Sequence, residues 1–285
     1  MVIVKLQGGL GNQLFQYAIG RYLSVKNNDT LTLDNSFLNI TNATGYTLRN
    51  YELDIFPITP RILNKEKYFG SSITSRIRTP LSGIRYINEP SFKFIPEVSN
   101  WKGDVYLEGY WQSEKYFCKI ADIIRDDLKF SPVLNDGNSK VALQINSCNS
   151  VSIHIRRTDY IGRDGAATYH YVCPITYYLN AIEWIVKLFP DAVFFIFSDD
   201  ISWVRNNLQI GYPHYFINQN YGKQSYVDMQ LMSMCKHHII ANSSFSWWGA
   251  WLNKYEQKKV IAPERWFTDP DIDDSDIIPE SWLKL

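Results

Sequence analysis

Cysteine is scarce in these 285 residues: Cys118, Cys148, Cys173 and Cys235 are the whole supply, with no C-x-x-C pair and no regular spacing. A disulfide scaffold is thereby excluded. Long apolar runs are missing as well. Val2–Leu6 gives way at once to Gln7 and glycines, too short for a signal peptide or a spanning helix, and no later stretch supplies about 18 consecutive apolar residues. Neither sign of charge is in excess, since 29 Lys plus Arg match 29 Asp plus Glu. A general affinity for nucleic acid or anionic membrane needs a positive field, so the balance leaves only a locally basic pocket for a small anion. Repeats and low-complexity tracts are absent. These gaps lead us to expect a cytoplasmic protein with no nucleic-acid partner and no transmembrane segment.

What is present is an ordinary globular composition, 45% hydrophobic and 20% charged, long enough for one large domain or two moderate ones. Aromatic residues are abundant, with 19 Tyr and 9 Trp. Such rings either fill a core or line a site for sugars or bases.

Apolar spacing alternates between strand and helix period. Val2–Leu6 suits a buried strand ending in Gly8-Gly9-Leu10-Gly11. Leu14, Ala18 and Tyr22, with Phe15, Ile19 and Leu23, then form helical rows, with Asn12 as the expected N-cap, and residues 30–33 form a second strand. Residues 35–104 hold scattered prolines and no sustained period, so loops and short helices are expected there. Residues 105–110 look strand-like and 113–128 helical, and the string from Ser131 to Lys140 suits a linker. Beyond it, strands are expected at 151–156, 192–197, 215–217, 239–241 and 260–262, and helices at 174–189, 225–236 and 245–252. The alternation predicts α/β architecture with parallel sheets and ligands beyond the carboxyl ends of the strands. We place the division at 145/146, giving domains 1–145 and 146–285.

Three polar clusters fall at such strand ends in the second half. They are His154-Ile155-Arg156-Arg157-Thr158-Asp159-Tyr160, Phe197-Ser198-Asp199-Asp200 and Asn242-Ser243-Ser244-Phe245-Ser246. Arg156 and Arg157 offer planar forks suited to a diphosphate, and Ser243 and Ser244 open a helix whose free N–H groups favour an anion. Asp199, Asp200 and Asp228 can accept from a ribose or the donor edge of a base. Together they describe a nucleotide-diphosphate site, with neither a Walker A string nor the third glycine of the dinucleotide fingerprint. Each piece also has a plainer meaning. The arginine string can be a surface salt bridge, Ser198–Asp200 and Asn242–Ser244 can be helix caps, and Trp247, Trp248 and Trp251 can be core. His237-His238 lacks further ligand spacing and reads as a structural pair rather than a metal site.

Five strings carry a resemblance: GGLGNQLFQYA from Gly8, LEGYWQSEKYF from Leu107, HIRRTDY from His154, FSDD from Phe197 and NSSFSWWGAWL from Asn242. In this order they resemble glycosyltransferase family 11, the α-1,2-fucosyltransferases. The resemblance implies a GT-B fold of two Rossmann-like halves facing across a cleft, the second binding GDP-β-L-fucose and the first helping to hold the acceptor. It also implies inversion at the anomeric carbon with neither metal nor other cofactor. By likeness to the related α-1,6-fucosyltransferases, Arg156 meets the β-phosphate with Arg157 beside it, His154 and Asp228 recognise guanine, and Ser244 with Phe245 hold the phosphates. Asp164, ten positions after the histidine, is the candidate base, and Asn12 and Gln13 reach the cleft from the first half. The implied acceptor is a galactose-containing oligosaccharide or lipid-linked glycan, which for a chain without an anchor fits O-antigen repeats. Two rivals stand beside it: a metal-dependent GT-A enzyme using Ser198-Asp199-Asp200 as a D-x-D-like site, and a non-catalytic sugar-binding module.

Overall fold

The computed structural model describes residues 1–38, 49–63, 83–161 and 169–285, and of Asp159 the backbone. Two compact units emerge, one of Met1–Ser131 with Ser275–Ile277, the other of Pro132–Asp274 with Ile278–Leu285. The division therefore falls at Ser131/Pro132 rather than at 145/146. The reason is packing: the helix Asp136–Asn146 buries Ala142 and Ile145 against Phe195, Phe197 and Leu231 of the second unit.

In the first unit, β1 (Val2–Lys5) pairs in parallel with β2 (Leu31–Asp34) on one side and β5 (Val105–Glu108) on the other. β3 (Arg61–Ile62) lies outside β2 and β4 (Arg85–Asn88) outside β5, again parallel. Helix α1 (Leu10–Asn27) buries the rows seen in the sequence, Leu14, Ala18 and Tyr22 with Phe15, Ile19 and Leu23. Each large side chain so enclosed contributes roughly 1.5–3 kcal/mol relative to exposure. Gly20 lets the helix settle onto the sheet, since a Cβ there would stand 2.5 Å from Val4 Cγ2. The helix begins one turn earlier than expected, capped by Gly9, so Asn12 lies inside the first turn and is not the N-cap. β3 and β4 fall in the stretch expected to be loops and short helices. Arg85, Tyr86 and Asn88 are exposed, which explains the lack of an apolar period. The expected helix at 113–128 is interrupted: Phe117 (φ −139°, ψ 1°) leaves helical space between two 3₁₀ turns, and α3, after the short α2 (Pro96–Ser99), covers only Ala121–Asp127.

The second unit contains α4 (Asp136–Asn146), β6 (Asn149–Ile155), α5 (Ile175–Leu188), β7 (Ala192–Ser198), α6 (Ile201–Asn207), β8 (His214–Ile217), α7 (Tyr226–Met234), β9 (His237–Ile239), α8 (Ser244–Leu252), β10 (Val260–Ala262) and β11 (Leu283–Lys284). The six strands are parallel in the order β11-β10-β9-β6-β7-β8. The chain starts in the middle at β6, builds outward through β7 and β8, then crosses to β9 and builds the other way. The reversal between β6 and β9 is the topological switch point of a doubly wound sheet, where ligands bind beyond the strand ends. β9 starts two residues before the expected strand because both histidines are buried. His238 shares hydrogen bonds with Ser152 Oγ (2.9 Å) and Asn253 Nδ2 (2.9 Å), and the His237 ring stacks on Phe189 at 4.1 Å. Burial pushes both imidazoles below their ordinary value, so they act as neutral structural groups. All four cysteines are free thiols. Among the described residues no helix is long and apolar enough to cross a membrane.

Candidate functional site

At the switch point of the second sheet, β6 delivers His154, Arg156 and Arg157, β7 delivers Asp199, and the turn after β9 delivers Asn242, Ser243 and Ser244. Asp199 organises the first of these strand ends. Its carboxylate accepts from the N–H of Arg157 (2.9 Å) and Thr158 (3.0 Å) and from the Thr158 hydroxyl, and lies 3.3 Å from Nη1 of Arg156. Burial would raise its pKa, but the Arg156 charge and these donors outweigh it and hold the group below the usual carboxylate range. Asp200 is used differently, accepting from the N–H of Trp203 (3.0 Å) to cap α6. That cap aims the Trp203 ring, whose centroid lies 3.3 Å from the guanidinium carbon of Arg157. Nε of Arg157 is buried and finds no acceptor among the described residues. A buried guanidinium N–H without a partner is costly, and an anionic ligand would satisfy it.

The other side of the switch point is an anion-ready helix end. Ser243 is the N-cap of α8, yet its side chain makes no capping hydrogen bond, leaving first-turn N–H groups to a ligand. Asn242 fixes this turn: its amide donates to the carbonyls of Tyr171 (2.6 Å) and Trp266 (2.8 Å), and its own carbonyl accepts from Tyr160 Oη (3.1 Å). Tyr160 in turn lies under the Arg156 guanidinium at 5.8 Å, so one ring links the arginine to the helix end. His154 is buried, 5.8 Å between ring centroids from Phe245. Phe245 packs on the apolar cluster that includes Phe197 and Val227, which brings the start of α7, and with it Asp228, toward the same edge. Asp228 accepts from Asn220 Nδ2 (2.7 Å), and Asn220 and Asn138 exchange reciprocal amide hydrogen bonds of 2.8 and 3.1 Å. Burial pushes the Asp228 carboxyl up to about 7, against the lowering effect of the Asn220 amide.

The first unit has its own switch point, between β1 and β5. Gln13 is consumed by backbone: its amide donates to the carbonyls of Gly8 (2.9 Å) and Asn50 (2.8 Å) and accepts from the N–H of Glu52 (3.0 Å). Asn12 Oδ1 accepts from Gln112 Nε2 (2.8 Å), joining the glycine loop to the exit of β5. Gly8, at φ +76°, is required there, because a Cβ would stand 2.4 Å from Asn12 Nδ2.

The sequence-predicted residues thus separate into groups. His154, Arg156, Arg157, Asp199, Ser243, Ser244 and Phe245 gather at the second unit's switch point, and Asp228 approaches it through the Phe245 cluster. Asp200 caps a helix, while Asn12 and Gln13 brace the first unit. Asp164 and the side chain of Asp159 lie outside the described residues. Sequence reasoning placed Tyr160 and Asn242 in the strand-end clusters without giving either a partner, and it missed Trp203, Asn220 and Asn138. The Asp200–Trp203 spacing is a capping signal that could have found Trp203; contacts such as Asn138 with Asn220 leave none.

Comparison with known proteins decides the family. The model for Glycosyl transferase family 11 matches residues 83–285. An Alpha-1,2-colitosyltransferase of Escherichia coli is 35% identical over 100% of this chain and 99% of its own. The chain is a member of glycosyl transferase family 11. The family 11 chain is also 33% identical to the O-antigen biosynthesis glycosyltransferase WbnK of Escherichia coli, over 98% of this chain and 99% of that protein. To Galactoside alpha-(1,2)-fucosyltransferase 2 of Hylobates lar it is 23% identical, over 88% of this chain and 69% of that one. Among solved structures, a substituted form of Arabidopsis thaliana FUT1 in complex with GDP superposes with a TM-score of 0.51 at 11% identity, covering 91% of this chain and 69% of that one. This family 11 glycosyltransferase therefore has the α/β GT-B fold expected, with two parallel sheets. The GT-A alternative fails on that fold; the carboxylates it required are engaged within the second unit, Asp199 with Arg156, Arg157 and Thr158, and Asp200 with the N–H of Trp203. Among the described residues no three His, Cys, Asp or Glu side chains gather as a metal-ligand group.

Proposed function

We propose that this glycosyltransferase moves L-fucose, with inversion, from GDP-β-L-fucose to O2 of a galactosyl residue on an oligosaccharide or lipid-linked glycan. The observation that carries the reading is the convergence at one switch point of Arg156, the Nε of Arg157, which has no acceptor among the described residues, and the start of α8, which no N-cap side chain closes. That combination suits a diphosphate leaving group, with Asp228 and His154 for the guanine and Ser243, Ser244 and Phe245 along the phosphates. Asp199 holds the arginines in place, and Asp200 acts through Trp203. As the C1–O bond breaks, electrons move onto the β-phosphate oxygen, where Arg156 and helix N–H groups stabilise the charge. Each such donor is worth roughly 3–4 kcal/mol in comparable anion sites. The acceptor hydroxyl attacks C1 from the opposite face and yields its proton to a base, for which Asp164 is the proposed residue. The first unit, with Asn12, would hold the acceptor. Glycans of the O-antigen type suit this reading, given the WbnK relative.

The colitosyltransferase relative favours a second donor reading, an activated colitose in place of fucose. One experiment separates them. GDP release is measured in EDTA with GDP-β-L-fucose, GDP-colitose or GDP-mannose and a panel of galactose-terminated acceptors. Acceptor-dependent turnover of GDP-fucose above the other two is the expected result. Preference for GDP-colitose would replace the donor. Recovery only with Mn²⁺ would overturn metal independence, and glycan binding without any turnover would favour a sugar-binding module.

A further inference from the structure

The string from Leu107 to Phe117 lies in the first unit, and the turn Gly109–Trp111 near its start is held by side chains from elsewhere in that unit. Glu89, just past β4, spans this turn from below. Oε2 accepts from the N–H of Tyr110 (2.6 Å) and Oε1 from the N–H of Trp111 (2.9 Å). Gly109 allows the approach: a Cβ there would stand 2.4 Å from Glu89 Cβ and 2.7 Å from its Oε2. Gln16 ties the same turn to β1, donating to the carbonyls of Gly109 (3.0 Å) and Gln7 (3.2 Å) and accepting from the N–H of Gln7 (3.0 Å). Trp111 is held at φ +57°, a left-handed conformation costly for a bulky residue, which persists only where neighbours impose it.

The product of these constraints is the side chain that follows. Gln112 donates Nε2 to Asn12 Oδ1, which sets Gln112 Oε1, an acceptor, and Asn12 Nδ2, a donor, side by side between the exit of β5 and the first turn of α1. The surroundings are electrically balanced, because Lys5 is paired with Glu108 at 2.7 Å and Arg49 lies beside Glu52. Where the second unit offers its ligand a pair of arginines, this turn offers neutral amides, and two residues before Gln112 the half-buried ring of Tyr110 stacks on Phe92. Paired neutral amide groups match vicinal hydroxyls of an uncharged sugar better than they match a diphosphate.

We propose that Glu89 is a positioning residue: by chelating the Tyr110 and Trp111 amides it fixes the turn from which Gln112, paired with Asn12, binds hydroxyls of the acceptor glycan. This rests on the glycosyl-transfer reading above. Glu89→Gln puts an NH₂ against a backbone N–H and frees one end of the turn, whereas Gln112→Leu removes the binding amide and leaves Glu89 and its turn intact. Both should raise the acceptor KM about five- to tenfold, the scale of one or two lost hydrogen bonds, with the donor KM within about twofold of the parent. Ligand-observed NMR titration with a methyl galactoside reads the same site without turnover, and both variants should bind it correspondingly more weakly. An unchanged acceptor KM and galactoside affinity in Gln112→Leu, or equal losses for donor and acceptor in both variants, would overturn the assignment. Should Glu89→Gln fail to fold, Gln112→Leu still decides whether the turn binds sugar, and Gly109→Ala, which pushes on Glu89, must then reproduce its effect. Parent enzyme that turns over no GDP-sugar but binds galactoside through Gln112 would end the transfer reading and leave the site standing.

Discussion

Asp199 and Arg156 hold each other across the ends of two adjacent strands, with Oδ2 3.3 Å from Nη1, and the same carboxylate takes the N–H groups of Arg157 and Thr158. One acid therefore sets the position of both arginines. Asp199→Asn keeps the shape but loses the charge and at least one acceptor. We expect kcat/KM for the donor to fall about tenfold or more and stability to drop by roughly 1–3 kcal/mol, read from denaturant midpoints. The carboxyl is held below its unfolded value, so its stabilisation is complete above about pH 4 and is lost as pH falls through the lowered folded value. The difference between parent and variant should accordingly be full at neutral pH and shrink in acid.

Removing the proposed catalytic charge has a different signature. Arg156→Ala should lose at least about a hundredfold in kcat with GDP-fucose, since the guanidinium held over Tyr160 at 5.8 Å is the charge proposed to meet the departing β-phosphate. GDP affinity should change less than kcat, because the developing charge, not the ground state, needs the arginine most. Near-normal kcat would remove Arg156 from that role.

Trp203 never needs to touch ligand to matter. Its ring lies against the Arg157 guanidinium, and a stacked cation of this kind is worth about 0.5–2 kcal/mol. Trp203→Leu should raise the donor KM a few-fold, up to about twentyfold, with little effect on acceptor KM. Asp200→Ala should do the same more weakly by uncapping α6, at a cost of about 1 kcal/mol in stability. If Trp203→Leu leaves the donor KM unaltered, Arg157 is not held by the ring.

Sequence periodicity exposed most of the second sheet, because its central strands are buried, Ala192–Ser198 above all, whereas the half-exposed edge strand β11 went unseen. It failed where polar residues are buried by long-range partners. His237 and His238 belong to β9, but Ser152, Asn253 and Phe189, which make that possible, are far away in the chain. It failed again at β4, an exposed strand without an apolar face, and at the unit boundary, where α4 packs on residues that follow it. For the site, strand-end position located His154, Arg156, Asp199 and Ser244, since parallel topology alone brings those ends together. Which carboxylate braces, which caps and which stays available depended on backbone donors that a sequence does not display.

Asp228 makes the most demanding pH prediction. Burial raises its carboxyl to about 7, so the folded enzyme takes up near neutrality a proton that the unfolded chain binds only near pH 4. The folded state thus holds more protons between those values, and this group's contribution makes ligand-free stability decline as pH rises through that window, levelling off above it. A guanine edge presents N–H donors, which select the ionised carboxylate, so GDP affinity should rise with pH over the same interval. Asp228→Asn removes the titration. Its ligand-free stability should lose that slope, and its GDP affinity should be pH-flat and about tenfold weaker than the parent's at about pH 8. Asn220→Ala removes the one amide that lowers the carboxyl and should shift the parent's binding curve to higher pH. Calorimetric GDP titrations of the three proteins from about pH 6 to 8.5 check this, and superimposable pH profiles for parent and Asp228→Asn would show that the base is recognised elsewhere.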